Sequence, residues 1–118
     1  DLGRLGNGFA ANQLLPVAAD MTSDTTLFSP DSRAVGLAVG AAHACALMSG
    51  LGSPAGNANN LSVCWGQGAD GRLGNSATND YMTPTPVSAN AVIASYKGFL
   101  SIDAGDAHTC ALSLQGST

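Results

Sequence analysis

A repeated pattern is the feature that most constrains the fold of this chain. The segment Gly3–Asn7 recurs unchanged as Gly71–Asn75. The segment Gly40–Leu47 recurs with two substitutions as Gly105–Leu112. Self-similarity at a nearly fixed period indicates an array of similar structural units rather than one irregular globular core.

A third motif follows the first at nearly the same spacing. Pro16 lies between apolar residues in Leu15-Pro16-Val17, and Pro86 occupies the corresponding place in Thr85-Pro86-Val87. The three motifs recur in one order, and the distance between copies varies only slightly, as expected if the motifs are structural and surface loops of varying length connect them. The unit is therefore about 65 to 70 residues long.

Four short segments of one unit are predicted strands. Fifteen glycines and five prolines are spread along the chain and interrupt it too often for long helices, while hydrophobic residues make up 45% of it. The predicted strands are Val35–Val39, Ala42–Met48, Leu61–Trp65 and Pro84–Ser88. Four antiparallel strands per repeat are typical of a β-propeller blade, so the predicted class is all-β.

The charge balance argues against two classes of partner. Four Lys and Arg residues stand against eight Asp and Glu residues, which gives a net charge of −4 and a pI near 4.5. Nucleic-acid binding depends on clustered basic residues, so no direct nucleic-acid partner is expected. The longest apolar stretch, residues 34–48, is too short and too interrupted to cross a bilayer, and no membrane partner is expected.

In order and combination, the motifs resemble the regulator of chromosome condensation repeat family. That signature runs from Gly-x-x-His-x-x-Ala-Leu through Trp-Gly and Gly-x-Leu-Gly to a Thr-Pro-Val region. The residues that carry the resemblance are Gly40, His43, Ala46, Leu47, Trp65, Gly66, Gly71, Leu73, Gly74 and Pro86, with Gly105, His108 and Leu112 in the second copy. The resemblance implies a β-propeller, usually of seven blades. Arg4 and Arg72 depart from it, because the family usually has Gln there, and the loops are longer than its repeat usually allows.

The resemblance also implies how the chain divides. Trp65 comes shortly before Gly71, so the Trp that belongs to Gly3 would lie before residue 1. We therefore expect a fragment of one propeller domain, with about one complete blade and parts of two others. Residues 1–33 would be the end of one repeat and a connecting loop, residues 34–88 a complete repeat, and residues 89–118 a loop and the first half of the next repeat.

Two His-x-Cys pairs raise the question of a metal site. His43 and His108 lie two positions before Cys45 and Cys110, and four such side chains could bind zinc if they converged. Equivalent positions in successive blades are related by rotation and need not converge on one ion. The resemblance instead implies that each His is structural, with its ring hydrogen-bonded within or between blades. No metal and no other cofactor is predicted.

The cysteines permit two interpretations. Cys45 and Cys64 fall on adjacent predicted strands, where facing residues are close enough for a disulfide if the register agrees. Cys110 would then be the first half of a second pair. Alternatively, all three are buried thiols that pack as small apolar residues. A disulfide would imply an oxidising compartment, so the predicted location is extracellular or at the cell surface, with cytoplasm or nucleus as the alternative.

The sequence favours binding over catalysis. Asp103 and Asp106 lie near His108, but no pattern specifies a catalytic geometry, and no enzyme is predicted. The preferred function is a protein-interaction or scaffolding module that contacts its partner through the loops and packs against the remaining blades of the parent chain. The resemblance adds two alternatives: a guanine-nucleotide exchange factor for a Ran-like GTPase, and a secreted enzyme inhibitor of the propeller type.

Overall fold

A computed structural model of the chain describes residues 2–22, 32–49, 60–88 and 98–113. Six strands and one short 3₁₀ turn, Ala69–Gly71, make up its regular structure. The strands are β1 (Arg33–Val39), β2 (His43–Ser49), β3 (Leu61–Gly66), β4 (Tyr81–Pro86), β5 (Phe99–Ala104) and β6 (Thr109–Ser113). The described part of the chain is therefore all-β, as the sequence predicts.

The strands form two antiparallel sheets. The first sheet has the order β1-β2-β3-β4, so each strand pairs with its neighbour in sequence, and the second sheet pairs β5 with β6. A four-stranded antiparallel meander beside the start of a second sheet is consistent with a complete propeller blade followed by part of another. Most of the loops that the sequence predicts at Met21–Ser32 and Ser49–Asn60, and all of the predicted loop Ala89–Lys97, lie outside the described residues.

The fourth strand is displaced from its predicted position. The sequence predicts Pro84–Ser88, whereas β4 runs from Tyr81 to Pro86. Its start is set by the side chain of Asp80, which accepts a hydrogen bond of 2.9 Å from the Gly68 amide and so closes the preceding loop. Its end is set by a backbone hydrogen bond of 2.8 Å from Ser88 N to Gly74 O, which turns the chain away from the sheet. Neither of these two hydrogen bonds can be identified from the sequence alone.

Both faces of the first sheet are covered at its central strands, as the nearly continuous burial of β2 and β3 indicates. One face, here called the N-terminal face, contacts the segment 2–22; it carries Ala44, Ala46, Met48, Val63 and Trp65, with Met21 packed against them. The other, the C-terminal face, contacts the second sheet. It carries Cys45, Leu47, Cys64 and Leu73, which pack against Phe99 and Ile102. Alternation along each strand sends successive side chains to opposite faces, so a strand that is buried on both faces is apolar along most of its length.

The repeated motifs adopt the same backbone structure in both copies. Gly40 N donates to His43 O at 2.9 Å, and Gly105 N donates to His108 O at 3.0 Å, so each Gly-x-x-His closes a tight hairpin. Gly6 N donates to Gly3 O at 2.9 Å, and Gly74 N donates to Gly71 O at the same distance. The sequence repeat is therefore a structural repeat.

The loop after each Gly-x-Leu-Gly turn is closed at its base in the same way. Asp20 N donates to Gly6 O at 2.6 Å, and Ser88 N donates to Gly74 O at 2.8 Å. The two bonds enclose loops of equal length, because the offset that aligns Gly6 with Gly74 also aligns Asp20 with Ser88. At this offset Pro16 corresponds to Pro84, whereas the sequence motif aligns Pro16 with Pro86.

Candidate functional site

Four connections lie at one end of the two sheets, which we call the hairpin end. Because neighbouring strands are antiparallel, the β1–β2 and β3–β4 connections leave the first sheet on the same side. The β5–β6 connection lies beside them, since Ala41 N donates to Asp106 O. The turn of residues 2–8 joins them, since Gly8 N donates to Met82 O at 2.9 Å, next to the start of β4. The hairpin end is thus built from three successive sequence units.

Hydrogen bonds between units hold these connections together. The guanidinium of Arg4 donates to Ala41 O at 3.3 Å, which links the first turn to the β1–β2 hairpin. Ala41 N in turn donates to Asp106 O at 3.3 Å, which links that hairpin to the β5–β6 hairpin. Backbone groups supply most of these partners, so the links do not require particular side chains at the exposed loop positions.

Thr109 connects the two sheets. Its hydroxyl donates to Arg72 O at 3.0 Å and lies 2.8 Å from His43 Nε2. A hydroxyl has one proton, which here is used on Arg72 O, so His43 Nε2 must be the protonated nitrogen that donates to Thr109. The same oxygen lies 3.7 Å from Cys45 Sγ. The ring of His43 on the first sheet is therefore hydrogen-bonded to Thr109 on the second.

The environment of His43 favours the neutral imidazole. Burial lowers the pKa of His43 from its ordinary value of 6.5, and the positive charge of Arg72 lowers it further. The neighbouring backbone of His108 acts in the opposite direction, but the overall shift of the His43 pKa is downward. A neutral ring fits the bond to Thr109, which needs only the proton on Nε2.

Arg72 organises the β3–β4 connection from within. Its guanidinium donates from Nε to Ala69 O at 2.8 Å, from Nη1 to Gln67 Oε1 at 2.9 Å and from Nη2 to Asp70 Oδ2 at 3.0 Å. Its side chain is only 9% exposed, whereas that of Asp70 is 78% exposed. The Arg at this place, which departs from the family pattern, thus supplies three donors that hold the loop in one conformation.

The two glycines of the first turn are required by what packs against them. The indole of Trp65 donates from Nε1 to Arg4 O at 3.0 Å. A Cβ on Gly6 would lie 2.7 Å from Trp65 Nε1, and a Cβ on Gly3 would lie 2.7 Å from Met82 Cα. Gly3 and Gly6 also have positive φ, of 71° and 67°. The two glycines therefore allow the Trp65 indole and the start of β4 to pack directly against the backbone of the turn.

The structure contains the Cys45–Cys64 disulfide, one of the two interpretations that the sequence leaves open. The residues are directly paired across β2 and β3, with Cα atoms 4.0 Å apart, and both are fully buried. Cys110 is a free, exposed thiol. A buried disulfide weakly fits an extracellular location, where such bonds persist.

A pocket opens between the second turn and β6. Its volume is about 360 Å³, and its lining includes Gly71, Arg72, Gly74, Val87, Thr109 and Ala111. The turn that borders it, Gly71–Gly74, is the second copy of the turn that receives Trp65. A Cβ on Gly71 would meet nothing within 4 Å, in contrast to Gly3.

The other residues singled out by the sequence fall into two groups. Leu47 and Leu73 are buried in the core, at 3% and 0% exposure, and Gly66 ends β3 with a φ of 100°. Leu112, the second-copy counterpart of Leu47, is 60% exposed. The difference arises because β5 covers β2, whereas within the described ranges no strand covers the corresponding side of β6.

Cys45 cannot be a ligand in the zinc site that the two His-x-Cys pairs suggested, because its sulfur forms the disulfide with Cys64. Within residues 2–22, 32–49, 60–88 and 98–113, no three His, Cys, Asp or Glu side chains cluster as metal ligands would. The same residues include no helix with the length and hydrophobicity needed to span a membrane.

Sequence reasoning missed Thr109 as a functional position. Its counterpart in the first copy is Ala44, so the two copies share no polar residue at this position. A Thr in place of an Ala marks the position as different, but its hydrogen-bond partners Arg72 and His43 are identified only by the structure. Arg72 could be singled out from the sequence because the family usually has Gln there. That its side chain is buried and holds the loop could be seen only in the structure.

Residues 64–112 match the sequence model of the family described as "Regulator of chromosome condensation (RCC1) repeat". This segment of the chain is thus similar to an RCC1 repeat. The matched segment begins within β3 and ends within β6, so it contributes strands to both sheets. No curated protein matched the chain. An RCC1 repeat in an all-β structure suggests an interaction module of the propeller type.

Proposed function

We propose that this chain is a protein-interaction module whose contact surface is the hairpin end. The observation that carries the proposal is the set of hydrogen bonds between units, from Arg4 to Ala41, from Ala41 to Asp106 and from Thr109 to Arg72. They hold loops of three successive units in fixed relative positions. A surface that is already ordered loses little conformational freedom on binding, which favours affinity.

The chemistry of this surface suggests the kind of protein that it binds. Asp70, Asp80 and Asp106 are exposed at the hairpin end, which also carries the exposed Arg4 and the buried Arg72 that pairs with Asp70. These three acidic groups outnumber the two basic ones, which leaves one excess negative charge. Negative potential attracts a partner surface that presents Lys or Arg and increases the rate of encounter. The proposed partner is therefore a protein with a basic patch, and a nucleic-acid partner is disfavoured by the same charges.

The proposal places the protein outside the cell and assigns it binding rather than catalysis. The Cys45–Cys64 disulfide supports an oxidising compartment. The motif residues are used in packing and in hairpin closure, which supports a structural role for them and leaves the exposed loop positions for recognition.

A charge-reversal experiment tests the proposal. The chain is immobilised, incubated with the extracellular proteins of its source, and the retained proteins are identified by mass spectrometry. Asp70→Lys with Asp106→Lys reverses two charges of the hairpin end, and Asp103→Lys, on the exposed side of β5, is the matched control. We expect proteins that the wild type and the control retain and the double variant loses. Equal retention by all three forms would refute the proposed surface.

A guanine-nucleotide exchange factor for a Ran-like GTPase is the second candidate. The acidic hairpin end favours it, because such a factor needs an acidic face toward the GTPase. The GTPase is loaded with fluorescent GDP, and its release is followed with and without the chain. Accelerated release that the double Lys variant loses would replace the general interaction module with this specific activity.

A further inference from the structure

We infer that the outer edge of β4 is closed against strand pairing, so that the first sheet does not extend through β4 into a second copy of this chain. The outer edge of β4 is the side that faces away from β3. Two prolines, Pro84 and Pro86, and the turn of residues 2–8 close it. Closure of this edge concerns self-association, which the proposed function does not address.

β4 is an edge strand in the interior of the sequence. The sheet order gives it one neighbour, β3, and among the described residues no strand pairs with its other side. The chain continues beyond β4 to β5 and β6, so this edge is not created by an end of the chain. An unpaired edge exposes backbone donors and acceptors to which a strand of another molecule can add.

The pairing with β3 determines which backbone groups of β4 face outward. Val63 faces Pro86 across the two strands. One position further, Val87 N donates to Ser62 O at 3.1 Å, so the amide of Val87 points toward β3. In an antiparallel pair, the N–H and C=O groups of successive residues point alternately toward the partner strand and away from it. The backbone of Pro86 therefore faces outward.

No backbone donor of residues 84–86 faces outward. Proline has no backbone N–H, so Pro84 and Pro86 supply none in any orientation. Thr85, between them, pairs with Cys64, and by the same alternation its N–H points toward β3. The outer edge of this stretch therefore presents acceptors and no donor.

The turn of residues 2–8 occupies the edge near the start of β4. Met82 O accepts from Gly8 N at 2.9 Å, so this carbonyl is already bonded to a segment outside the sheet. Thr83 lies beside it, with its methyl carbon 3.8 Å from the position that a Cβ on Gly8 would take. A strand that added along the whole of β4 would meet this turn.

Two copies of this edge are incompatible with each other. Antiparallel pairing of β4 with β4 of another copy would bring residues 84–86 of one copy opposite the same residues of the other. Both strands would offer carbonyl oxygens and neither would offer a donor, so the acceptors would lose water without gaining a hydrogen bond. Proline on an edge strand is a common protection against such pairing.

Valine substitutions separate the missing donors from the packing of the rings. Pro84 is buried and Pro86 is half-buried, so both rings also contribute to packing. Valine keeps an apolar side chain, favours the extended backbone and restores the amide. Pro84→Val with Pro86→Val therefore changes the donors of the edge more than its packing.

Sedimentation velocity over a range of protein concentrations tests the inference. We expect Pro84→Val with Pro86→Val to raise the association constant about a hundredfold over the wild type, because each copy gains two donors for the acceptors of the other. Comparison with the wild type cancels association through any other surface, since those surfaces are the same in both forms. A folded double variant that sediments like the wild type at every concentration would overturn the inference.

Hydrogen exchange locates the contact. The double variant is labelled with ¹⁵N-valine, and the amides restored at positions 84 and 86 are followed by NMR at low and high protein concentration. We expect these amides to exchange about tenfold more slowly at high concentration, because they are then bonded to the second copy. Increased association without this protection would place the contact elsewhere and count against closure by the prolines.

Pro16→Val is the matched control. Pro16 corresponds to Pro84 at the offset that aligns the two Gly-x-Leu-Gly turns, but it lies outside the strands of the described chain. This variant should sediment like the wild type, and association equal to that of the double variant would refute the role of the β4 edge. Circular dichroism verifies folding. If the double variant does not fold, Pro86→Val alone, at the more exposed ring, should still raise association about tenfold, and no rise would refute the inference.

Discussion

Breaking the Cys45–Cys64 disulfide should lower the free energy of unfolding by an amount that the loop length determines. The bond joins residues 19 apart in sequence. In the chain-entropy model, closing a loop of this length removes about 11 cal/mol/K from the unfolded chain, or about 3 kcal/mol near room temperature. With a urea dependence of roughly 1–1.5 kcal/mol/M, the unfolding midpoint should fall by about 2–3 M.

The assay is urea unfolding followed by Trp65 fluorescence, with and without a reductant. Reduction keeps both sulfur atoms in the core, so the shift between the two conditions isolates the cross-link. Cys45→Ala with Cys64→Ala removes the sulfurs as well and should cost roughly 0.5–1.5 kcal/mol more for each, as for other small deletions in a packed core.

Cys110→Ala is the matched control for this prediction. Its thiol is free and exposed, so the variant should unfold at the wild-type midpoint in either condition. The reasoning would be refuted if reduction left the wild-type midpoint unchanged, or if Cys110→Ala shifted it as much as the double variant does.

Three further changes test the contacts between units. Gly6→Ala should displace the indole and shift Trp65 fluorescence toward the red, while Gly8→Ala, at a similarly positive φ but with its nearest neighbour 3.8 Å away, should leave the emission unchanged. Thr109→Val leaves two buried hydrogen-bonding groups without a partner and should cost about 1–3 kcal/mol in urea unfolding, whereas Thr109→Ser should retain most of the stability. Because the pKa of His43 is lowered by folding, the unfolded chain takes up the proton first, so stability should decline as pH falls below about 6.5. His43→Gln should flatten that decline in urea midpoints measured between about pH 7 and about pH 5, and an unchanged slope would contradict the assigned cause.

The repeat was the part of the fold that the sequence could reveal. Gly71 and Gly74 have positive φ, and a Cβ on Gly40 would collide with the His43 ring. Such requirements recur in each copy, so these residues could be found by comparing the copies. Three of the four predicted strands of the first sheet agree with the structure to within two positions at each end. They carry continuous apolar runs bounded by glycine or polar loops, which makes their limits visible.

The remaining features depend on contacts that connect distant residues. The start of β4 depends on the bond from Gly68 to the side chain of Asp80, and its end depends on the bond from Ser88 to Gly74. The choice between a disulfide and buried thiols depended on register, since a shift of one residue would have sent Cys64 to the opposite face. The role of Thr109 differs between the copies, so it could be recognised only from the coordinates.

The offset between the RCC1 repeat and the sheets explains how neighbouring units become interdependent. The segment that matches the repeat family begins at Cys64 in the first sheet and ends at Leu112 in the second. Thr109 and Arg72 therefore belong to one repeat but join two sheets, while the Cys45–Cys64 disulfide joins residues inside and outside the repeat within one sheet. In arrays stabilised mainly by nearest neighbours, such alternating links couple the unfolding of each sheet to that of the next. A loss at Thr109 should accordingly weaken the first sheet as well as the second, although its side chain lies on only one of them.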